Sequence, residues 1–344
     1  MNPTHDPRVS LRLLPEWAPQ AATLLCWPHQ DSDWAPRLDA IQTEYLQLIR
    51  TIRRHQPVVV LVNDPLSRQA LFQGLQPYRD ESAWPVCCLD IPFTDTWVRD
   101  FGPLTRGNGQ LTELVHLRFD GWGGQYESHE NQQLCNRLAE SGLFGQTPMI
   151  HSELVGEGGN LETDGHCLLS SRTSFQQRHN PEHILEQVLQ QLLGLSSIHW
   201  LDCPPLPGDD THGHVDTLAR FGEDGSILWQ PPPDPAACRK LEHQLAVLGR
   251  PMRRLPDMPE IIDQGQLLPA SYANFLVVNG AVLVPAYGSD IDVRAAHVIA
   301  RAFPARKIEP VQARQLIWQY GSLHCASMQI PARVDLNLAV TTPC

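Results

Sequence analysis

Short apolar stretches separated by turn residues dominate the chain, and their spacing predicts alternating strands and helices. Residues 22–27 form a strand on this pattern. Residues 37–54 repeat apolar positions near every 3.6 residues and form an amphipathic helix. The uninterrupted run VVVLV at 58–62, bounded by Pro57 and by Asn63-Asp64-Pro65, is a buried strand. A short helix follows at 66–75, then strands at 86–89 and 111–117 around the loop 91–103. Residues 131–141 are helical. Residues 154–155, 160–163 and 167–170 are short strands, and 181–193 is a helix with proline near its start. Strands follow at 198–201 and 215–221, and a helix at 236–248. Asn279-Gly280 joins strands 275–278 and 281–285 in a hairpin. A helix at 291–303 and a strand at 308–311 complete the pattern.

A unit of strands plus a helix therefore recurs, although the units do not match in sequence. The chain has 344 residues, with 30 prolines and 23 glycines, which suits many short elements joined by turns. Two domains or one large repeat-built α/β domain fit that length. The Pro-rich stretches 203–208 and 230–235 have the length of ordinary loops inside one domain. A hydrophobic content of 42% can fill a sizeable core.

The formal charge of −12 disfavours nucleic acid, whose phosphates are met mostly by Lys and Arg, and suits a cationic partner. No apolar run reaches the roughly 18 residues of a membrane helix. The first residues lack the basic-then-apolar pattern of a secretory leader. Nine scattered cysteines without a CxxC pair read as reduced thiols, so the expected location is cytoplasmic. No Gly-rich phosphate loop is present.

Four segments concentrate candidate chemistry. Asp95-Thr96-Trp97-Val98-Arg99-Asp100 places two carboxylates and an arginine before Gly102-Pro103, a combination that a surface loop with a salt bridge also shows. Glu157-Gly158-Gly159-Asn160 offers either a tight turn or a close backbone approach to a ligand. In Asp210-Thr211-His212-Gly213-His214-Val215-Asp216, a strand would put His212, His214 and Asp216 on one face. Such a face serves a metal or a histidine acid–base group oriented by a carboxylate. Cys325, in Gly321-Ser322-Leu323-His324-Cys325, reads by composition alone as a buried small residue, yet it differs from the apolar-run cysteines Cys87, Cys88 and Cys167 in its polar, flexible surroundings. A nucleophilic cysteine needs a histidine brought near by the fold, and His214 is the candidate.

Together these segments resemble the agmatine deiminase and bacterial-type peptidylarginine deiminase family of guanidino-modifying enzymes. The resemblance runs nearly end to end, through WPHQDSDW (27–34), DTWVRDFGP (95–103), FDGWGGQY (119–126), EGGNLETDG (157–165), THGHVD (211–216), YANFLVVNGAVLVPAYG (272–288) and GSLHC (321–325). It implies an α/β fold of the pentein type, a five-bladed propeller of ββαβ-like units around a central site, and one domain over 1–344. It implies Cys325 as nucleophile, His214 and Asp216 as the His-x-Asp element, and Asp100 as a second carboxylate. Trp97, Glu157, Gly158 and Gly159 correspond to positions around the substrate. Asp95, Arg99 and Trp27 are further candidates for substrate contact, and Asp31, Asp33, Glu157 or Asp209 for a distal amine.

The chemistry has its own logic. Two carboxylates can fix a planar guanidinium by paired hydrogen bonds. A thiolate then attacks its carbon, and a histidine serves first as acid and then as base. No metal or cofactor is expected. The expected partner is a small cationic guanidino compound, agmatine first, with peptidyl or free arginine as alternatives; Arg99 is a candidate for the carboxylate of free arginine, and could equally pair with Asp95 or Glu157. A homodimer is expected from the resemblance. The rival readings are a zinc hydrolase on His212, His214 and Asp216, and a non-catalytic pentein. The chain departs from the family in carrying His212 where Asn is common, and Ala326-Ser327-Met328-Gln329 where Thr-Gln-Gln commonly follows the cysteine.

Overall fold

The computed structural model describes residues 11–202 and 204–344. The first ten residues of the N-terminal stretch 1–19 read for a leader, and Cys203, one of the nine cysteines, lie outside the described residues.

One pairing pattern recurs five times. A strand pairs antiparallel with a second strand, and helical structure then leads to a third strand parallel to the second. Leu104–Gly107, Thr112–Arg118 and Met149–Val155 form one such set. Glu162–Thr163, Cys167–Ser171 and Ser197–Leu201 form another, crossed by the helix Glu182–Leu193. Ala219–Phe221, Ile227–Trp229 and Met252–Arg254 follow, with the helix Pro235–Ala246. Leu276–Val278, Ala281–Ala286 and Lys307–Gln312 come next, with the helix Ile291–Ala302. The fifth set joins the two ends of the chain: Ser327–Pro331 pairs antiparallel with Gln20–Cys26, which runs parallel to Val58–Val62. A small ribbon, Ile261–Asp263 with Gln266–Leu268, stands apart.

Local sequence explains most boundaries. In the helix Leu38–Ile52, Ile41, Tyr45, Leu48, Ile49 and Ile52 are buried along one stripe, as a 3.6-residue period requires. Every residue of Val58–Val62 is buried, because parallel strands lie on both sides of it. Asp64 caps the helix Pro65–Leu75 by accepting from the backbone of Leu66 and Ser67. The Asn279-Gly280 hairpin forms where expected.

Three predicted elements differ. The helix expected over 131–141 is two pieces, His129–Gln132 and Leu134–Glu140, divided at Gln133, whose N–H is shared between two carbonyls. The strand expected over 160–163 shrinks to Glu162–Thr163. Gly158–Asn160 is a 3₁₀ turn, and the Asn160 side chain takes over ladder bonding to Ser171. The strand expected over 215–221 is a 3₁₀ turn, Val215–Thr217, followed by Ala219–Phe221. The Thr217 hydroxyl donates to the His214 carbonyl there, and the Asp216 carboxylate bonds His324 instead of lying on a sheet face. No helix among the described residues is long and apolar enough to cross a membrane.

Candidate active site

The segments just before the first strands of the five units converge. Asp100, Gly159, Asp216, Asn274 and Cys325 each lie two to four residues ahead of such a strand. Recurrence of the unit thus delivers one short segment from each of five places in the sequence to a common centre. A cavity opens there. It encloses about 540 Å³ including its mouth, and Asp100, Asp216, His214, Cys325, Trp97 and Trp122 are among its walls.

Cys325 is 6% exposed. Its sulfur lies 3.1 Å from Asn274 Nδ2 and 3.5 Å from Asp216 Oδ2. The Asn274 side-chain carbonyl accepts from the backbone of His324 at 3.0 Å and of Cys325 at 3.3 Å, so one amide holds the Cys325 loop at three points. Burial pushes the Cys325 thiol well up, and the carboxylates of Asp216 and Asp100 push it further, so the resting group is a thiol.

Asp216 is held by His324 Nδ1 at 2.7 Å and by Asn274 Nδ2 at 3.1 Å, both on Oδ2. Burial raises its pKa, but the bond to His324 and that ring's charge outweigh burial and leave the carboxyl below its ordinary range. Its Oδ1 is buried without a partner. Asp100 accepts from the Gly159 N–H and from the Trp122 indole, each at 2.9 Å. Burial lifts its pKa above the usual carboxylate range, against the pull of His214.

His214 stands between carboxylates. Its Nδ1 is 3.6 Å from Asp100 Oδ1 and its Nε2 is 3.6 Å from Glu157 Oε2, ion-pair distances too long for hydrogen bonds. Both ring nitrogens are buried without hydrogen-bond partners. Burial alone would depress this histidine; Asp100, Glu157 and Asp216 overcome that and lift it to about 9. It is an imidazolium at neutral pH. A Cβ on Gly159 would sit 2.7 Å from both Asp100 Oδ1 and His214 Nδ1, so only glycine fits between them.

The outer cavity is acidic. Asp33, Asp95, Asp209 and Asp210 line it with Tyr126 and Gln319, and no Lys or Arg among the described residues is part of its walls. Burial raises Asp95 to about 7, with the charges of Asp33, Asp210 and Asp100 adding to it. Burial, with Asp209 adding to it, raises Asp210 to about 6. Such a mouth favours a ligand carrying positive charge.

The structure brings Cys325, His214, Asp100, Asp216, Trp97 and Asp95 to one cavity. Glu157 and the two glycines lie immediately behind it. Asp33 and Asp209 reach the mouth, whereas Asp31 is not among its walls. Two candidates are placed elsewhere. Arg99 is buried and turned to the back, donating to the His324 carbonyl at 3.3 Å and to Gln329 Oε1 at 2.7 Å, so it meets neither Asp95 nor Glu157 and cannot reach a substrate carboxylate. Trp27 is fully buried, with its ring edge-on to Tyr45. The expected His212–His214–Asp216 face does not form. His212 has φ +65°, and its Nδ1 lies 3.2 Å from Arg178 Nη1. Among the described residues, no group of three or more His, Cys, Asp or Glu is arranged to hold a metal ion.

Sequence reasoning does not single out Asn274, Trp122, Arg178 or the ring of His324. The available signal was positional: Asn274 stands ahead of its strand as Asp216 and Cys325 stand ahead of theirs.

Comparisons with known proteins show the family of the chain. The Porphyromonas-type peptidyl-arginine deiminase family profile matches residues 12–331. An agmatine deiminase of Pseudomonas aeruginosa is 26% identical over 373 residues, covering 96% of this chain and 98% of that one. A substrate-bound Cys-to-Ser variant of C. jejuni agmatine deiminase superposes with a TM-score of 0.85 at 26% identity, covering 93% and 96% of the two chains. A candidate arginine deiminase from Porphyromonas gingivalis superposes at 0.84 with 34% identity, covering 94% and 98%. The chain belongs to the Porphyromonas-type peptidyl-arginine deiminase family and is a hydrolase acting on the C–N bonds of amidines.

Proposed function

We propose that the protein deiminates a small cationic guanidino compound, agmatine first, giving N-carbamoylputrescine and ammonia through a covalent thiouronium on Cys325. The observation that carries this is the buried, unpartnered Oδ1 of Asp216 in an acidic cavity beside the Cys325 sulfur. An unsatisfied buried acceptor is costly unless a ligand supplies its donor.

The residues suit each step. A guanidinium seated between Asp100 and Asp216 donates to both carboxylates and neutralises the charge that holds Cys325 protonated. The thiol then loses its proton to solvent, and the thiolate attacks the guanidinium carbon. The His214 imidazolium protonates one amine of the tetrahedral adduct, the C–N bond breaks, and ammonia leaves. His214, now neutral, takes a proton from water, and the hydroxide so formed adds to the thiouronium carbon. The C–S bond breaks, the hydroxyl proton of the adduct passes to the departing sulfur as the carbonyl forms, and the ureido product leaves, returning the Cys325 thiol.

The acidic mouth favours agmatine over free arginine. A second ammonium at the far end of the substrate meets Asp33, Asp95, Asp209 and Asp210, whereas an α-carboxylate there finds no Lys or Arg among the described residues of the wall, and His214 lies at the reacting end beside Asp100. The reading extends to the fold as one domain, with the five units arranged as blades around the cavity; pairing of Ser327–Pro331 with Gln20–Cys26, which joins the chain ends, supports a closed ring. It includes a cytoplasmic location, supported by the eight described cysteines all being free, a homodimer on the resemblance alone, and a place in putrescine formation. The test is ammonia and ureido product from agmatine, free arginine and a blocked arginyl peptide, with and without EDTA. Product from agmatine alone, unaffected by EDTA, is expected. Product only from the peptide would overturn the substrate assignment, and loss with EDTA the mechanism.

A further inference from the structure

Behind the cavity lies a buried arginine with no part in the steps above. Arg178 follows the short helix Arg172–Gln176, and its side chain is wholly inaccessible to solvent. Its guanidinium makes three contacts. Nε donates to Glu157 Oε1 at 2.5 Å, Nη2 donates to the Thr211 carbonyl at 3.1 Å, and Nη1 lies 3.2 Å from His212 Nδ1. Glu157 presents its other oxygen to His214 Nε2 at 3.6 Å. Thr211 and His212 begin the turn that leads into His214. One side chain therefore holds both the carboxylate facing the acid–base histidine and the backbone that carries it.

We infer that Arg178 is a positioning residue for His214, acting through Glu157, and that the neutral ring of His212 completes the clamp as an acceptor. The inference rests on the deiminase reading for the role of His214. Several features support it. A planar guanidinium can bond a carboxylate, a carbonyl and an imidazole at once in fixed directions, which a lysine cannot. His212 occupies the left-handed region at φ +65°, a conformation unusual for a residue with a Cβ. The clamp gives a reason for it. A Cβ on Gly123 would lie 3.3 Å from Arg178 Nη1, so the loop whose Trp122 holds Asp100 also rests against this guanidinium.

An acid sensitivity follows. His212 is faced by Arg178, Asp209, Glu157 and His214. A proton on its Nδ1 removes the lone pair that Arg178 uses and sets two cations against each other. Burial and Arg178 together hold this histidine below its ordinary pKa, so the clamp stays closed at neutral pH.

The test compares Arg178→Gln, Arg178→Lys and His212→Asn in the full chain. Each is checked for folding by circular dichroism and thermal melting. The readouts are kcat and KM for agmatine against pH, and the ring titration of His214 in protein labelled with ¹⁵N-histidine, the signal assigned by its loss in His214→Asn. In Arg178→Gln, kcat falls about tenfold or more while KM changes by about threefold or less. The His214 titration moves downward by about half a pH unit or more, since Glu157, no longer held against the ring, stops raising it. Arg178→Lys keeps the charge without the fork and recovers only part of kcat. His212→Asn, which keeps an acceptor but cannot be protonated, shifts the acid limb of kcat to lower pH. A folded Arg178→Gln protein with native kcat and an unmoved His214 titration would overturn the inference. If that variant fails to fold, Arg178→Lys decides by the same two readouts. If the native protein turns over no guanidino substrate, the deiminase reading fails, and the His214 titration alone upholds or overturns the clamp.

Discussion

Two buried ionic clusters lie close together in this protein, and they are built to opposite ends. In the first, Arg220 sits between Glu16 and Glu162, with Nε 2.7 Å from Glu162 and Nη2 in close contact with Glu16, and its remaining donors meet the carbonyls of Ala273 and Phe275. None of these three side chains leaves a buried polar atom without a partner. In the second, Asp216 Oδ1 and both ring nitrogens of His214 are buried and unpartnered, and carboxylates outnumber cations. The two meet at His324, whose Nδ1 bonds Asp216 and whose Nε2 lies 3.4 Å from Glu16. A fully satisfied cluster fixes where its loops go. An unsatisfied one has a place left for a ligand, and the closed cluster below keeps it from collapsing.

That contrast can be broken from either side. The largest effect is expected from Cys325→Ser, which should lower turnover roughly a thousandfold or more and leave the melting temperature nearly unchanged. Arg220→Met should act in reverse order, by losing stability first. It strands Glu16 and Glu162 without their cation, and about 3–5 kcal/mol should be lost in denaturant titration. If Arg220→Met proved as stable as the native chain, the closed cluster would not be the support described here.

A smaller effect tests the shape of the cavity. Gly321 lies against Trp97, and a Cβ there would fall 2.4 Å from the indole ring. Gly321→Ala should displace Trp97 into the cavity and reduce kcat/KM by about 10- to 100-fold, with little change in stability. The mildest test is pH. Asp95 and Asp210 take up protons near 7 and 6 in the free protein, and a dication binds best when both are ionised. KM for agmatine should therefore rise as pH falls, by roughly tenfold between pH 8 and 6. On the alkaline side, kcat/KM should fall as His214 loses its proton at about 9. A KM independent of pH across the acid range would mean that the mouth does not hold the distal charge.

Much of the fold was legible because its elements are local. Periodicity and capping locate Leu38–Ile52 and Pro65–Leu75, and the Asn279-Gly280 turn locates its hairpin. The site was legible where chemistry clusters in sequence, as around Asp100 and His214. What escaped was orientation and long-range contact. Arg99 and Asp100 are neighbours, yet the helical turn Val98–Phe101 sends Asp100 to the cavity and Arg99 behind it. Asn274 reaches Cys325 across 51 residues and Arg178 reaches His212 across 34, separations for which no local pattern exists. The segment around His214 read as a strand because its residues alternate. Its structure is a turn, because the Asp216 carboxylate is drawn inward by His324 and Asn274.

The most direct test of the central claim is the mass of Cys325 during turnover. The protein would be mixed with agmatine, quenched in acid within the first turnovers, digested and analysed by mass spectrometry. The account predicts that the peptide containing Cys325 gains the mass of the substrate less ammonia, and that Cys325→Ser shows neither the adduct nor product. Undiminished product formation by Cys325→Ser, with no adduct on the native protein, would contradict it.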